Sequence, residues 1–269
     1  MIRIRDFHKR FNAGSINEVY SLRGIDLEIR QGDWVTVIGT NGSGKSTLLN
    51  AVAGTFSPDS GTIEIEGEDV SRKKDFERAK YIARVFQNPY IGSAPEMSIA
   101  ENLHLAQLRG KKKLMKVGLN AAQRARLREE VRQLEMQLED RLDNKMGTLS
   151  GGQRQAVTLL MAVINRPKVL LLDEHTAALD PKSGAQVIHL TKKFVEKENY
   201  TTLMVTHSMQ QALELGNRTI MMHQGRIIDD ISLEEKQRST VNDLLDRFAD
   251  LRKREHLTDD MLERLRRSY

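Results

Sequence analysis

The chain has 269 residues, enough to bury a large core as one large domain or as one domain with an appendage. Hydrophobic residues make up 39% and charged residues 29%, a balance typical of a globular rather than a disordered chain, and the 5% of aromatic residues argues against a stacking platform for single-stranded nucleic acid. The net charge of +5 fits either solvated Lys and Arg side chains or contact with lipid headgroups and nucleotide phosphates. The absence of cysteine excludes disulfides, thiol catalysis and cysteine-ligated metals.

Neither a targeting segment nor a membrane span is predicted. The first six residues, Met1 to Asp6, alternate apolar and charged side chains, unlike a signal peptide. No apolar run approaches the roughly 18 residues that are needed to cross a bilayer.

Residues 1–38 are predicted to form strands. Ile2, Ile4 and the stretch 25–29 alternate apolar with charged residues, as antiparallel strands with one solvated face do. The run Trp34 to Ile38 is continuously apolar, which indicates a buried strand. Two further strands are predicted at 62–66 and 81–86.

A phosphate-binding loop follows the buried strand directly. Residues 39–46 have the Walker A spacing Gly-x4-Gly-Lys-Ser, and a helix from Lys45 to about Ala53 should follow, ended by Gly54. Backbone N–H groups of residues 41–46 can point at phosphate oxygens, Lys45 would reach the β- and γ-phosphates, and the Ser46 hydroxyl would ligate magnesium. The predicted ATP-binding residues are Gly39, Thr40, Asn41, Gly42, Ser43, Gly44, Lys45, Ser46 and Thr47.

Between residues 87 and 164 the pattern becomes helical. Ser98 and Glu101 have the spacing of a capping box, which predicts a helix running toward Arg109. Apolar residues then recur at intervals of three and four, which predicts an amphipathic helix whose apolar stripe is more typical of a core than of a recognition surface. These residues are Leu127, Val131, Leu134, Leu138 and Leu142. We expect about residues 90–165 to form an inserted helical subdomain.

A second phosphate-facing surface is predicted at Leu149-Ser150-Gly151-Gly152-Gln153. Ser150 suits the N-cap of a helix, and the small residues after it let backbone N–H groups approach an anion. This helix should end near Asn165, because Pro167 disfavours helix at the residue before it. The chain thus carries two phosphate-facing surfaces but one Walker lysine. A head-to-tail pair, in which each second surface closes over the ATP held by the partner, is the economical arrangement.

Two acidic residues end the next predicted strand. The apolar residues 169–172 hold this strand in the sheet interior, so Asp173 and Glu174 emerge together at its C-terminal end. Two carboxylates beside a triphosphate are unfavourable unless a cation intervenes. We therefore assign Asp173 to the magnesium shell and Glu174 as the base that accepts a proton from the attacking water.

The rest of the chain alternates strands and helices before a charged tail. Strand–helix alternation around a phosphate-binding loop predicts a mainly parallel α/β sheet. Its further strands are predicted at 168–172, 202–206, 219–222 and 226–229. Residues 231–269 are predicted to form a helical tail that packs on the core or pairs with a second tail. The apolar positions of this tail are Val241, Leu244, Leu245, Phe248 and Leu251.

The phosphate-binding loop, the acidic strand end and the 149–153 pentapeptide together resemble the nucleotide-binding subunit of ATP-binding cassette (ABC) transporters, from about residue 2 to about residue 230. The resemblance implies an α/β P-loop NTPase cassette with a mainly parallel sheet core, an N-terminal antiparallel β subdomain and an inserted helical subdomain. We expect a nucleotide-binding domain at 1–230 and a separate tail at 231–269. One departure is His175, where the common pattern has proline. A solvent-facing loop position is expected for His175, although it could also tune the site.

Further site residues follow from the resemblance. His207, after a predicted strand, would be the switch histidine that hydrogen-bonds the γ-phosphate and the attacking water. Gln87 would be the Q-loop glutamine, which contributes to the magnesium site and senses its water. Ala178-Leu179-Asp180 occupies the D-loop position, which crosses the dimer interface. Phe11 stands where the family places an aromatic residue that stacks on adenine, with Tyr20 as the alternative.

The resemblance also implies ligands, partners and a location. The chain would bind ATP and Mg²⁺, and ATP would bring two cassettes together. Transmembrane permease subunits would dock a short helix in the groove near 87–97, and an extracytoplasmic solute-binding protein would deliver the solute to them. No nucleic acid is expected as a partner. We expect a cytoplasmic protein, peripheral on the inner face of the membrane, that drives import of amino-acid-like small solutes. An export or lipid-handling motor and a soluble ATPase of the iron–sulfur assembly type are the alternatives. The basic run 109–113 is expected to be a solvated loop or, alternatively, to contact headgroups.

Overall fold

The computed structural model describes residues 1–111 and 118–250. In chain order, the strands of these ranges are β1 (Ile2–Phe11), β2 (Val19–Ile29), β3 (Trp34–Gly39), β4 (Ser60–Ile65), β5 (Glu68–Asp69), β6 (Ile82–Val85), β7 (Val169–Asp173), β8 (Thr201–Val205), β9 (Arg218–His223) and β10 (Arg226–Ile231). The helices are α1 (Lys45–Ala53), α2 (Asp75–Arg78), α3 (Ile99–Gln107), α4 (Ala121–Arg132), α5 (Gly151–Val163), α6 (Pro181–Glu198), α7 (Met209–Glu214) and α8 (Leu233–Arg238), with a 3-10 turn at Met146–Thr148. Residues 241–250 are also helical.

The N-terminal sheet is antiparallel and has the strand order β2-β1-β4-β5. Ile2 pairs with Ile29 on one side and with Ile65 on the other, and all three side chains are buried. The charged residues that alternate with them stay partly exposed, and Arg3 forms an ion pair with Glu28 across the strands. The predicted antiparallel strands are confirmed, while β3 joins a different sheet.

The second sheet has the order β10-β9-β3-β8-β7-β6, and all of its strands except β10 run parallel to their neighbours. The two faces of this sheet are each covered by a separate buried cluster, and its central strands are therefore apolar on both faces. The predicted mainly parallel sheet is therefore confirmed. Since β3, β8, β7 and β6 are parallel neighbours, the loops that follow them meet at one carboxyl edge, where ligands of such sheets bind.

The segment between β6 and β7 is mainly helical. Ser98 caps α3 in a capping box with Glu101, as predicted. Ser150 is the N-cap of α5, also as predicted, and the structure adds a capping box with Gln153. α5 ends at Val163, close to the predicted end near Asn165. α5 packs against α3, β6 and α6, so it joins this helical segment to the core sheet.

The predicted continuous helix as far as Leu142 is wrong. α4 ends at Arg132, and Glu135 and Gln137 adopt left-handed backbone angles, with φ of 56° and 54°. The five apolar residues of the pattern are nevertheless all buried. Spacing of three and four shows which residues reach the core, and turns that return to the core at that interval produce the same pattern as a helix.

The C-terminal segment packs on the core sheet. Leu244 and Phe248, on the helical residues 241–250, join a buried cluster with Ile38 and Met221 of β3 and β9. Packing of the tail on the core, one of the two predicted options, is therefore confirmed for these two side chains. Leu245 is exposed.

Some predicted features lie outside the described residues. They include Leu251 and lysines 112 and 113, and pairing of two tails stays a prediction.

Arg109, the first residue of the basic run, donates to the Ala162 carbonyl at 2.7 Å, so this residue is anchored to the protein. Within 1–111 and 118–250, every helix is too short or too polar to cross a bilayer.

Candidate nucleotide site

The Walker A loop forms a tight turn between β3 and α1. The buried Lys45 donates through Nζ to the carbonyls of Gly39 and Thr40, at 3.0 and 2.9 Å. Burial lowers the pKa of Lys45, although two nearby carboxylates act against that shift. The buried Ser43 hydroxyl has no hydrogen-bond partner among the described residues. A buried cation and an unpaired hydroxyl before a helix N-terminus suit a phosphate ligand.

Glycine is required at two positions of this loop. Gly39 has a φ of 154°, and a Cβ there would lie 2.2 Å from the carbonyl oxygen of Met222. Gly44 has a φ of 98°, and its Cβ would lie 2.7 Å from the carbonyl oxygen of Ser21. Any larger residue would displace the loop from the strands that support it.

Two supports of the loop escaped sequence analysis. The amide of Gly225, in the turn between β9 and β10, donates to the Ser43 carbonyl at 3.0 Å. The Ser21 hydroxyl of β2 donates to Thr47 Oγ1 at 2.8 Å. Both supports come from segments far away in sequence, and no local pattern marks them.

Ser46 and Asp173 supply the oxygen atoms of a candidate magnesium site. Ser46 Oγ lies 3.5 Å from Asp173 Oδ1. One hydroxyl and one carboxylate, completed by phosphate oxygens and water, is the kind of ligand set that Mg²⁺ accepts in nucleotide sites. The residues present therefore fit the ion.

Arg84 is a residue of this site that sequence analysis missed. Its Nη2 donates to Asp173 Oδ2 at 2.6 Å, and its Nη1 donates to Asn50 Oδ1 of α1, also at 2.6 Å. Asp173 is thereby held with one oxygen toward Arg84 and the other toward Ser46. The available signal was a single charged residue inside the otherwise apolar strand β6.

The structure brings the predicted base and switch histidine together. Glu174 Oε1 lies 2.6 Å from His207 Nε2, and 12% of the Glu174 side chain is exposed against 48% for His207. Glu174 has a left-handed φ of 45°, an uncommon conformation that clusters at functional sites. Its amide donates to the Val205 carbonyl at 3.0 Å, which ties the strained residue to β8.

Gln87 lies at the same edge of the sheet. Val85 pairs with Leu172 in the parallel register of β6 and β7, so Gln87 and the two acidic residues follow adjacent strand ends. Gln87 is exposed. Phe86, the residue before it, accepts a hydrogen bond from Gln155 Nε2 of α5 at 3.0 Å, which ties the start of this loop to the helical segment.

The two candidate adenine-stacking residues have different surroundings. Phe11 ends β1, is partly exposed, and contacts the Phe56 ring edge-on at 5.2 Å between centroids. The Tyr20 ring carries the guanidinium groups of Arg10 and Arg23, whose carbons lie 4.4 and 5.1 Å from its centroid. The Phe11 ring also has a lysine ammonium over it, 5.6 Å from its centroid, so both rings are partly exposed beside cationic side chains.

The pentapeptide 149–153 forms a capped helix start. Ser150 Oγ accepts from the Gln153 amide at 3.3 Å, and Gln153 Oε1 accepts from the Ser150 amide at 3.2 Å. A Cβ on Gly152 would lie 2.6 Å from Ser183 Cβ of α6, so this glycine also permits close packing of two helices. Among the described residues, no hydrogen bond joins 149–153 to the loop 39–47 of the same chain.

The predicted D-loop leads into α6. Asp180 is the N-cap of that helix, and its Oδ1 accepts from the Ser183 amide at 3.0 Å. This backbone hydrogen bond lowers the pKa of Asp180. Leu179 lies against the start of α5, since a Cβ on Gly151 would be 3.4 Å from Leu179 Cδ2. The D-loop and the 149–153 helix start are thus neighbours within one chain.

The expectation that His175 faces solvent is wrong. Its side chain is 1% exposed, its Nε2 lies 2.9 Å from Thr191 Oγ1 of α6, and burial lowers its pKa to about 4. Thr191 gives its hydroxyl proton to the Val187 carbonyl at 2.8 Å, so the neutral imidazole donates from Nε2. A loop position next to the acidic pair suggested exposure, whereas the packing of α6 across the turn decides burial.

Comparison with known proteins identifies the family. The model of the ABC transporter family matches residues 22–177. The chain is 41% identical over 254 residues to the tyrosine transport ATP-binding protein of Clostridioides difficile (strain R20291), an alignment that covers 92% of this chain and 98% of that protein. It is 36% identical over 251 residues to a probable sulfate/thiosulfate import ATP-binding protein of Chlorella vulgaris, covering 93% of this chain and 99% of the relative.

A solved structure leads to the same assignment. The dimeric structure of a bacterial ABC transporter cassette matches with a TM-score of 0.74 and 30% identity, covering 87% of this chain and 99% of that one. The matched regions contain the Walker loop and the acidic strand end described above. The chain therefore belongs to the ABC transporter family and is a P-loop ATPase cassette whose activity is coupled to transport.

Proposed function

We propose that two copies of this chain pair head to tail and hydrolyse ATP at two shared sites. The observation that carries the proposal is the separation of the two phosphate-facing surfaces, because the capped helix start at 149–153 makes no hydrogen bond to the loop 39–47 of its own chain within the described residues. A helix start of this kind attracts anions, and the γ-phosphate held by a second copy would supply one. The dimeric cassette that shares 30% identity supports this arrangement.

Residues 39–47 would hold the triphosphate within one chain. The backbone N–H groups of 41–46 and the Lys45 ammonium would contact the phosphates, with Thr47 beside them. Ser46, Asp173 and Gln87 would surround the magnesium. The bound ion would neutralise phosphate charge as it develops during hydrolysis.

Phe11 would stack on the adenine ring. The reason is its place at the end of β1, where the resemblance to ABC cassettes puts an adenine-stacking aromatic residue, together with the partial exposure of its ring. Stacking of this kind would add affinity without taking part in the chemistry.

Glu174 and His207 would carry the proton transfer. Glu174 would accept a proton from the water that attacks the γ-phosphorus, and His207 would hydrogen-bond the γ-phosphate. The two residues follow the ends of the neighbouring strands β7 and β8, and their 2.6 Å contact holds the two side chains together there. A general base must lie within hydrogen-bond distance of its water. The hydrogen bond between the Glu174 amide and the Val205 carbonyl fixes the Glu174 backbone, which restricts the positions that its carboxylate can take.

The second copy would complete each site. Its residues Leu149, Ser150, Gly151, Gly152 and Gln153 would contact the γ-phosphate, while its D-loop, Ala178-Leu179-Asp180, would cross the interface. These contacts exist with ATP and are lost with ADP, so binding would close the pair and hydrolysis would open it. The chain would therefore act as a nucleotide-driven clamp.

The clamp would drive import of small solutes through a separate permease. Support comes from the import and transport proteins among the relatives, and the 41% identity to a tyrosine transport subunit favours an amino-acid-like solute. A cavity of about 340 Å³, lined by residues such as Phe86, Pro89 and Ile91, lies between the core and the helical segment and would receive a permease helix. The cassette, residues 1–230, would thus sit on the inner face of the membrane in the cytoplasm, with 231–269 as an appendage and a solute-binding protein outside.

Replacement of the base tests the chemistry. Glu174→Gln should lower ATP turnover by roughly 10²–10⁴-fold, the usual contribution of a general base, while nucleotide affinity is retained. Steady-state hydrolysis and binding of a fluorescent ATP analogue measure the two quantities. Near-normal turnover would overturn the assignment of Glu174.

Replacement of the helix cap tests the shared site. Ser150→Arg in the Glu174→Gln protein should abolish ATP-dependent dimers, because a large cation would fill the helix start that receives the γ-phosphate, whereas monomer nucleotide binding should persist. Sedimentation velocity with and without MgATP measures the dimer. Undiminished dimers would refute the shared-site proposal.

Purification of the native membrane complex tests the transport role. We expect permease subunits to co-purify, and ATP hydrolysis of the complex to rise with an amino acid and its binding protein. Permease subunits of an exporter, or partners without any membrane protein, would instead favour an export motor or an iron–sulfur assembly ATPase.

A further inference from the structure

Arg154, the residue immediately after the pentapeptide 149–153, is a buried cation. Its side chain is 1% exposed although it lies on the first turn of α5, beside a surface that we propose to be open to a partner. Buried guanidinium groups normally pair with carboxylates. Within the described residues, the hydrogen bonds of this guanidinium all end on carbonyl groups instead.

These carbonyls belong to the turn that leads into the helix start. Arg154 donates to Met146 O at 3.2 Å, to Gly147 O at 2.8 Å and to Leu149 O at 3.2 Å. One rigid, planar group thus fixes three successive parts of the backbone before Ser150. The position of the helix N–H groups that would meet a phosphate depends on this turn.

The face of the guanidinium is covered by an aromatic ring. The Arg154 Cζ atom lies 3.8 Å from the centroid of Tyr90, and Arg154 Nη1 is buried without an oxygen partner. A stacked ring compensates such a cation through its π electrons. Tyr90 belongs to the loop that follows β6, three residues after Gln87, and 57% of its surface is exposed.

We propose that Tyr90 and Arg154 are positioning residues that hold the 149–153 loop in the shape that binds the partner's ATP. The stacked ring holds the guanidinium against its three carbonyl acceptors, and these hydrogen bonds hold the turn before Ser150 in its conformation. The loop after Gln87 is thereby connected to the second phosphate-facing surface through one side-chain contact, without passing through the Walker site. This inference rests on the proposed shared-site function.

The test compares ring removal with ring retention in the Glu174→Gln protein. Tyr90→Leu should raise the MgATP concentration for half-maximal dimerisation by about three- to tenfold, the range expected for loss of a cation–π contact at a partly buried site. Tyr90→Phe keeps the ring and should match the parent. Phe76→Leu removes another exposed aromatic ring, on α2, and serves as the matched control that should also match the parent.

Two further measurements separate positioning from general damage. Affinity of the monomer for a fluorescent ATP analogue should stay close to the parent value in Tyr90→Leu, because the Walker site is untouched. The thermal midpoint should fall by no more than about 2–4 °C, the shift expected for loss of one contact of this kind. In an Arg154→Lys background, which removes the planar fork, Tyr90→Leu should have a smaller effect than in the parent, since the two residues act through one contact.

The outcomes are distinguishable. Equal dimerisation midpoints for Tyr90→Leu and Tyr90→Phe, or a shift as large in Phe76→Leu, would overturn the inference and leave the shared site standing. Failure of the Glu174→Gln parent itself to dimerise with MgATP would overturn the shared site and the inference together.

Discussion

Glu174 and His175 are adjacent but play different parts. Glu174 contacts His207 at the open edge of the sheet, while His175 turns inward and is fixed by Thr191 of α6. The inward histidine anchors the turn on which the strained glutamate lies. A single pair of neighbouring residues thus combines a reactive group with its support.

Removal of the Thr191 hydroxyl tests this anchor. Thr191→Val leaves the buried His175 Nε2–H without an acceptor, which should lower the free energy of unfolding by about 1–3 kcal/mol, the cost of an unsatisfied buried donor. A tautomer change offers no rescue, because His175 Nδ1 also lacks a partner within the described ranges. Thr191→Ser keeps the acceptor and should lose much less in urea unfolding. Equal losses in the two variants would refute the anchor.

The stretch after α4 shows how an element can be misread from spacing alone. Leu134, Leu138 and Leu142 are buried as predicted, yet the backbone between them contains two left-handed residues rather than helical turns. Their burial is a property of the side chains. The helix is a property of the backbone hydrogen bonds, and at Glu135 and Gln137 those bonds are interrupted.

Glycine substitution distinguishes the two backbones. Gln137→Gly should leave the free energy of unfolding unchanged or raise it by up to about 1 kcal/mol, because glycine relieves the left-handed strain of an exposed residue. Ala125→Gly, at an exposed position inside α4, should lower it by about 1 kcal/mol. Chemical denaturation measures both. A loss of about 1 kcal/mol in each variant would indicate a continuous helix instead.

For the molecule as a whole, a buried lysine joins the C-terminal segment to the core. Lys236 of α8 is 3% exposed, and its Nζ donates to the carbonyls of Leu215 and Gly216, at 2.6 and 3.1 Å. These carbonyls follow α7, the helix that comes after His207. Together with Leu244 and Phe248, the lysine attaches the segment after β10 to the nucleotide-binding core.

Burial makes this attachment depend on pH. Burial lowers the pKa of Lys236 from 10.5 to about 8, so between these values the unfolded chain binds more protons than the folded one. The contribution of Lys236 to the free energy of unfolding should therefore rise with pH across that window, by up to about 3 kcal/mol, and be lost as pH falls through 8. The difference between the parent and Lys236→Met, measured by urea unfolding at several pH values, isolates this contribution. A difference that is flat or falls with rising pH would contradict it.

Local sequence by itself determined the Walker loop, the acidic strand end and the capped helix start at 149–153, because loop glycines, caps and buried strands are specified by residues that adjoin one another in the chain. The alternation of strands and helices along the chain indicated the mainly parallel sheet. It also identified which side chains are buried after α4. Tertiary structure alone decided the contact of Arg84 with Asp173, the burial of His175 against α6, and the Tyr90–Arg154 stack. Each of these joins residues separated by more than a dozen positions, and such contacts depend on how the elements pack rather than on any local periodicity.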